Sequence, residues 1–384
     1  MVGIGALARL AFRCAMIGAL ACVVATTIEA QNTSEILDRA RLAVGRNSDS
    51  ASGVLRVAGA FTFLNVEEQF VSDYAADGRF RVSFAGQLNR DVRFDGKSVR
   101  GSEFSKLWHE LEFFEREFEL LQAWVYSGYW TDQLAPLSFS EVESEPGADG
   151  RVVLGVQLRD GLLRARLELN SDDYRVQALI VPSAGEELTT TYSRYEAIDG
   201  FWMAREVHSN LGMGSFYTCS VRAAKLVAGE DTSFDPKPDV IDFRFDSSVS
   251  PEVEVTRSES KHLWVRSKVN GQDLGLFLFD TGARFSGLSR EAAESLVLSS
   301  FGDTGLTGVG GNLTSTKMFR AAKLQLGPLV IDDLVFSEIS VERKSRMVGE
   351  KVAGVLGWDV MRRAIVDLET EGQLRLFDPA TYEL

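Results

Sequence analysis

Asp280-Thr281-Gly282-Ala283 follows the apolar run Leu274 to Phe279, and no second apolar strand in the chain ends in Asp-Thr-Gly or Asp-Ser-Gly. Upstream, Leu263 to Val269 reads as a strand and Asn270-Gly271 as a tight hairpin turn. A carboxylate delivered after Leu276-Phe277-Leu278-Phe279 emerges from an apolar sheet into a low-dielectric place. There its charge is costly unless it is shared or hydrogen-bonded. Gly282 admits turn dihedrals and close backbone approach, and the hydroxyl of Thr281 can tie down the loop. A second copy, Asp303-Thr304-Gly305, follows Ser299-Ser300-Phe301-Gly302 instead of an apolar strand. It lies too close to the first to be the active loop of a duplicated lobe, and it reads as a solvated loop.

Other chemistries find little support. His109, His208 and His262 lie far apart without metal-ligand spacing, so no metal or other cofactor is expected. Cys14 and Cys22 fall in the leading segment, which leaves Cys219 alone, unable to form an internal disulfide and best read as a small buried hydrophobe. The net charge of −14, without a compensating basic run, repels phosphates and anionic membranes and excludes nucleic acid as a partner.

The elements that must position Asp280 come last in a chain of 384 residues, long enough for two domains. Residues 1–30 read as a signal peptide: Arg9 and Arg13 precede the uncharged stretch Cys14 to Thr27, and Ala30 is a small residue before a cut. A lipid-anchored alternative at Cys22 fits less well, because Leu20 is misplaced for it. The expected location is periplasmic or secreted.

Ser34 caps a short helix over residues 35–44. Strands follow from Leu55 to Val99, with turns at Asp77-Gly78 and Asp95-Gly96, and residues 103–126 read as an amphipathic helical region. A second strand series covers 152–158, 163–169, 176–181, 192–195 and 201–207. Helix, antiparallel strands and a helical interruption together predict a curved antiparallel sheet wrapped over helices. The Pro-, Asp- and Ser-rich stretch 229–253 reads as a linker, with domains expected at 31–245 and 246–384.

The C-terminal third resembles the retropepsin-like aspartyl proteases, including the single-lobe bacterial forms. The pieces come in order: Val269-Asn270-Gly271, Asp280-Thr281-Gly282-Ala283, Phe285-Ser286-Gly287-Leu288-Ser289, a helix over 290–297, and Gly-rich Thr307-Gly308-Val309-Gly310-Gly311 in the place of the flap. Leu324 to Gly327, the strand Leu334 to Val341, Val355-Leu356-Gly357-Trp358-Asp359 and the closing runs 365–368 and 373–377 complete it. The resemblance implies a mainly β (α+β) protein whose C-terminal lobe is a closed β-barrel. It assigns catalysis to Asp280, Thr281 and Gly282, and substrate contacts to Ala283, Gly308, Val309, Gly310 and Gly311. Leu356 and Gly357 would be structural, their strand packing beside the active loop.

It further implies an aspartic endopeptidase acting on polypeptides. Two carboxylates share one proton around a water, without metal. With one such aspartate per chain, the pair must form across a homodimer. The N-terminal half resembles, in architecture only, the periplasmic lipoprotein-carrier (LolA/LolB-like) half-barrel. Two alternatives therefore stand beside the peptidase: a protease-like fold used for binding or dimerisation without catalysis, and a carrier of a hydrophobic ligand or lipid through the N-terminal domain.

Overall fold

A computed structural model describes residues 33–45, 53–102, 104, 107–141, 150–183, 186–212, 216–229, 233–235, 241–258, 262–307, 313–369 and 373–383. The leading segment 1–30 and the Gly-rich tip 308–311 lie outside the described residues.

The N-terminal half is one 13-stranded antiparallel sheet. It begins at the edge strand Trp108–Glu110 and runs back through the chain to Gly53–Phe63. It then crosses to Phe216–Ala228 and continues to Leu137–Glu141 at the other edge. Leu64 and Asn65, both at positive φ (53° and 59°), form the two-residue turn between Gly53–Phe63 and Val66–Ala75, the backbone that such a hairpin demands. Val57, Phe80 and Val92 from one end of the sheet share a single core with Leu154, Leu167 and Leu179 from the other, because the sheet curves round.

Two helices fill that curve. Residues 33–44 bury Ile36, Ala40 and Val44 at every fourth position. Phe113–Tyr126 buries Glu117, Leu120, Leu121, Trp124 and Val125 along one stripe at helical spacing, with Ala123 buried beside it. Its buried Glu117 accepts the backbone N–H groups of Leu162 and Leu163 at 3.0 and 2.7 Å, so the charge is compensated.

The C-terminal half closes into a six-stranded barrel. Its order is Leu329–Ile339, Gly287–Ser289, Val352–Leu356, Gln272–Phe279, Leu263–Val269 and Leu313–Leu326, the last pairing again with the first. Val265, Phe277, Leu288, Phe336 and Leu356 fill its centre. A separate three-stranded sheet, Glu252–Val253, Leu374–Phe377 and Ile365–Leu368, lies beside it.

Two expectations shift. Trp108–Glu110, expected within a helical region, is a strand, because Ser102, Gly101 and Arg100 of the neighbouring hairpin pair with it; the helix starts only at Phe113. Asp303-Thr304-Gly305 is no solvated loop: it lies in the strand Ser300–Thr307, paired with Leu313–Leu326. Lys317, opposite Asp303 in that ladder, binds its carboxylate at 2.8 Å, a partner that local sequence does not reveal. Phe243–Phe245, just before the expected boundary, pairs with Leu329–Ile331.

Candidate active site

The strand Gln272–Phe279 carries Asp280 out of the barrel beside the parallel strand Val352–Leu356. The Asp280 N–H donates to the carbonyl of Leu356 at 3.0 Å, and the Ala283 N–H closes the turn on the Asp280 carbonyl at 3.2 Å. Oδ1 of Asp280 accepts the Gly282 N–H at 2.9 Å, which fixes the plane of the carboxylate. Asp280 is half-buried, with Thr281 and Gly282 exposed and Ala283 half-buried. One side of the acid therefore rests on the loop backbone, and the loop faces outward.

Gly354 in the neighbouring strand and Gly357 just after it make this approach sterically feasible. A Cβ on Gly357 would stand 2.7 Å from the carbonyl oxygen of Ala283 and 2.9 Å from the carbonyl carbon of Phe285. One on Gly354 would stand 2.2 Å from the carbonyl oxygen of Gly287. All three separations are below real contact distances, so a side chain at either glycine would force the neighbouring backbone away. The backbone then stitches onward, with Trp358 N–H on Ala283 O at 2.7 Å and Asp359 N–H on Arg284 O at 3.2 Å. Leu356 is fully buried behind the loop.

Ser286, Asp359, Arg363 and Asp242 support the loop from beneath, and sequence reasoning gave none of them a role. The Ser286 N–H and hydroxyl donate to the two oxygens of Asp359 at 2.9 and 2.7 Å, while Ser286 Oγ accepts the Gly357 N–H at 3.1 Å. Asp359 also accepts the Val360 N–H at 3.0 Å. Arg363, entirely buried, donates to the Asp359 carbonyl and through Nε to Asp242 at 2.8 Å. A buried charge survives only with such a partner. The visible signal was the pair Asp359 and Arg363 at helical spacing inside an apolar stretch; the distant Asp242 was invisible.

Burial raises the pKa of Asp359, opposed by the hydrogen bonds from Ser286. In the folded state it therefore holds its proton more tightly than in the unfolded chain. Its contribution to stability is complete below the unfolded value of about 3.9 and is lost as pH rises through the raised folded value. Lowered carboxylates such as Asp95, Asp246, Asp303 and Glu342 act in the opposite sense, so the melting temperature of Asp359→Asn should rise more steeply with pH across that window than that of the wild type. An identical pH profile in the variant would refute this.

Arg284 is exposed and turned toward the N-terminal lobe, where it pairs with Glu115 of the helix Phe113–Tyr126 at 2.5 Å. Phe285 meets the ring of Phe104 at a centroid distance of 5.9 Å. The Asp303 N–H donates to Leu64 O at 2.7 Å, and Asn65 donates to the Asp303 carboxylate at 3.1 Å. Hydrogen bonds from Lys317 first and Asn65 next hold the Asp303 carboxylate below its ordinary range. This second Asp-Thr-Gly copy thus starts at the seam between the lobes. Gly308, Val309, Gly310 and Gly311 lie outside the described residues.

Residues 265–360 match the family described as aspartyl protease. Among solved structures, the chain is similar to a retropepsin-like aspartic protease from Rickettsia conorii, with 19% identity, a TM-score of 0.25, and 35% of this chain and 94% of that one covered. The N-terminal region is similar to a LolA superfamily protein from Nitrosomonas europaea, with 15% identity, a TM-score of 0.39, and 53% and 96% covered. A DUF1329 family protein from Desulfovibrio piger gives 12% identity, a TM-score of 0.38, and coverages of 52% and 94%. No curated protein matches the chain.

Proposed function

We propose that this chain, whose residues 265–360 form an aspartyl-protease-type domain, is an exported endopeptidase active as a homodimer with one Asp280 from each protomer. The observation that carries the reading is the Asp280 carboxylate, set at the end of a barrel strand and oriented by the Gly282 N–H at 2.9 Å on an outward-facing loop. Asp359, beneath the loop, is occupied by Ser286 and Val360 and serves as a support, which favours a second acid supplied by another chain.

In such a pair one carboxyl is protonated and the other charged, because like charges at close range do not both ionise. The charged member takes a proton from a water as the water oxygen bonds to the peptide carbonyl carbon. The protonated member donates to the carbonyl oxygen. Collapse of the resulting tetrahedral diol breaks the C–N bond as the departing nitrogen gains a proton. Asp280 does the proton transfer, Thr281 and Gly282 shape the loop, and Ala283 with Gly308 to Gly311 would line the bound polypeptide.

The dimer reading has its own support. Ile365–Leu368 is the outer strand of its sheet, and Ile365, Val366 and Leu368 are 37%, 36% and 48% exposed, with Trp358 at 55%. An apolar strand with a free edge is a template for pairing. Val366→Lys should therefore turn a dimer into a monomer in analytical ultracentrifugation and remove cleavage of an unfolded polypeptide in parallel. A wild-type protein that is strictly monomeric yet fully active would defeat the two-chain site. The leading segment supports export. A second reading, binding of a hydrophobic ligand, is favoured by one observation: an aromatic-lined cavity of about 300 Å³ formed mostly by the N-terminal lobe, with Arg284 and Phe285 also in its lining.

A further inference from the structure

The N-terminal lobe touches two elements that bear on Asp280: its own loop, and the hairpin Ser300–Thr307 and Leu313–Leu326 that flanks the Gly-rich run 308–311. At the loop, Phe285 is the last member of a row of rings. Its centroid stands 5.9 Å from that of Phe104, which is stacked 6.3 Å from Phe63. Phe63 in turn lies 6.1 Å from Phe61, a member of the N-terminal core. The exposed ion pair of Arg284 with Glu115 lies beside this row and adds little by itself.

The hairpin is held more firmly. Met318 is 3% exposed and belongs to the N-terminal core, and Phe301 packs against the same cluster. The Asp303 N–H donates to the Leu64 carbonyl at 2.7 Å, and Asn65 donates to its carboxylate at 3.1 Å. Backbone meets backbone here, since a Cβ on Gly302 would stand 2.8 Å from the Leu64 carbonyl oxygen. Arg320, on the strand Leu313–Leu326, donates to the carbonyls of Gln87 and Phe104. Buried Glu68 pins the segment carrying Gln87 by accepting the Leu88 N–H at 2.7 Å.

Phe104 is thus shared, its ring meeting the loop and its carbonyl meeting the hairpin. Its positive φ of 41° is uncommon for a residue with a side chain and persists only where the surroundings fix it. Within the barrel the strand ending at Asp280 and the strand Leu313–Leu326 are not neighbours, because Leu263–Val269 lies between them. The N-terminal lobe therefore adds a second connection between loop and hairpin. We propose that Phe104 and the Leu64-Asn65 turn are positioning residues that fix the Asp280 loop and the hairpin relative to each other. On this account the N-terminal lobe is a working part of the peptidase site. The effect on cleavage rests on the peptidase reading; the hold on the two elements does not. Positioning matters because reacting atoms must stand about 3–3.5 Å apart, and a shift of about 1 Å costs on the order of 10²-fold in rate.

The test uses two variants of the full chain. Phe104→Ala removes the ring and keeps the carbonyl that Arg320 uses. Asn65→Gly keeps the left-handed turn and removes the hydrogen bond to Asp303. Hydrogen exchange should quicken about two- to tenfold, the worth of one aromatic pair or one hydrogen bond, over 280–287 in the first and over 300–307 in the second. Exchange over Leu263–Val269 should match the wild type, and melting temperatures should shift by no more than about 4 °C. The kcat for cleavage of an unfolded polypeptide should fall by a similar factor in each. Phe104→Tyr, which keeps the ring, should restore both exchange and kcat. If Phe104→Ala folds poorly, Phe104→Leu removes the ring contact while keeping apolar bulk. Unchanged exchange over either segment overturns the proposal, as does faster exchange that spreads through Leu263–Val269, the mark of a general stabiliser. A chain that cleaves as well as the wild type despite faster exchange overturns it too. Faster exchange over both segments, with no cleavage even by the wild type, would end the peptidase reading and leave the hold on loop and hairpin in place.

Discussion

Asp280→Asn should lower the rate of polypeptide cleavage near about pH 4–6 by at least about 10³-fold, with no comparable loss of stability. The amide is nearly the same size as the acid and keeps an oxygen for the Gly282 N–H, so the loop retains its anchor. It cannot take the proton from water, nor share one with a symmetry mate. Because the residue is half-buried and its backbone carries the contacts to Leu356 and Ala283, the melting temperature should stay close to that of the wild type. A dimeric site makes a stronger demand. Excess Asp280→Asn chain mixed with wild type should suppress the wild-type activity as subunits exchange, since each mixed dimer holds one carboxylate. Equal cleavage by variant and wild type would remove catalysis from this position. Loss of activity in the variant without suppression in mixtures would instead point to a site completed within one chain.

The largest stability effect is expected at Asp242, which lies outside the Asp-Thr-Gly motif. Its carboxylate and the Arg363 guanidinium face each other with side-chain exposures of 1% and 0%. Asp242→Ala leaves that guanidinium buried and unpaired, a situation that costs about 3–5 kcal/mol. Urea unfolding of the C-terminal lobe, followed through buried Trp264, should register the loss as an earlier transition. Since Arg363 also holds the Asp359 carbonyl, and Asp359 holds Ser286, the damage should reach the active loop and reduce cleavage. Replacing both partners together, Asp242→Leu with Arg363→Met, should recover much of the stability, because two apolar groups leave no orphaned charge. A lobe starting at residue 246 should behave like Asp242→Ala. A loss below about 1 kcal/mol in the single variant would show that the pair contributes no more than a surface ion pair.

Legibility followed the distance over which each signal acts. The strand–turn–strand leading to Asp280 was readable because apolar alternation, Asn270-Gly271 and Gly282 lie within a few residues of one another. The helix after Ser289 and the strand ending at Leu356-Gly357 were legible for the same reason. Trp108–Glu110 was misread because its aromatic and acidic residues fit a helical face, and only pairing with Arg100 to Ser102 makes it a strand. Asp303 looked solvated because its neighbours are small and polar, whereas Lys317, Asn65 and the Leu64 carbonyl occupy it in the fold.

Amino-acid order alone determined which acid ends an apolar strand, which glycines must be small, and that the chain divides into two mostly β halves. Those properties depend on neighbours along the backbone. Only the tertiary structure decided what stands under the Asp280 loop and what stands beside it. Asp242 reaches Arg363, and Glu115 reaches Arg284, across separations that no local pattern encodes. A buried charge or a cavity wall is defined by partners brought together through folding, so such sites become visible only once the lobes have closed and met.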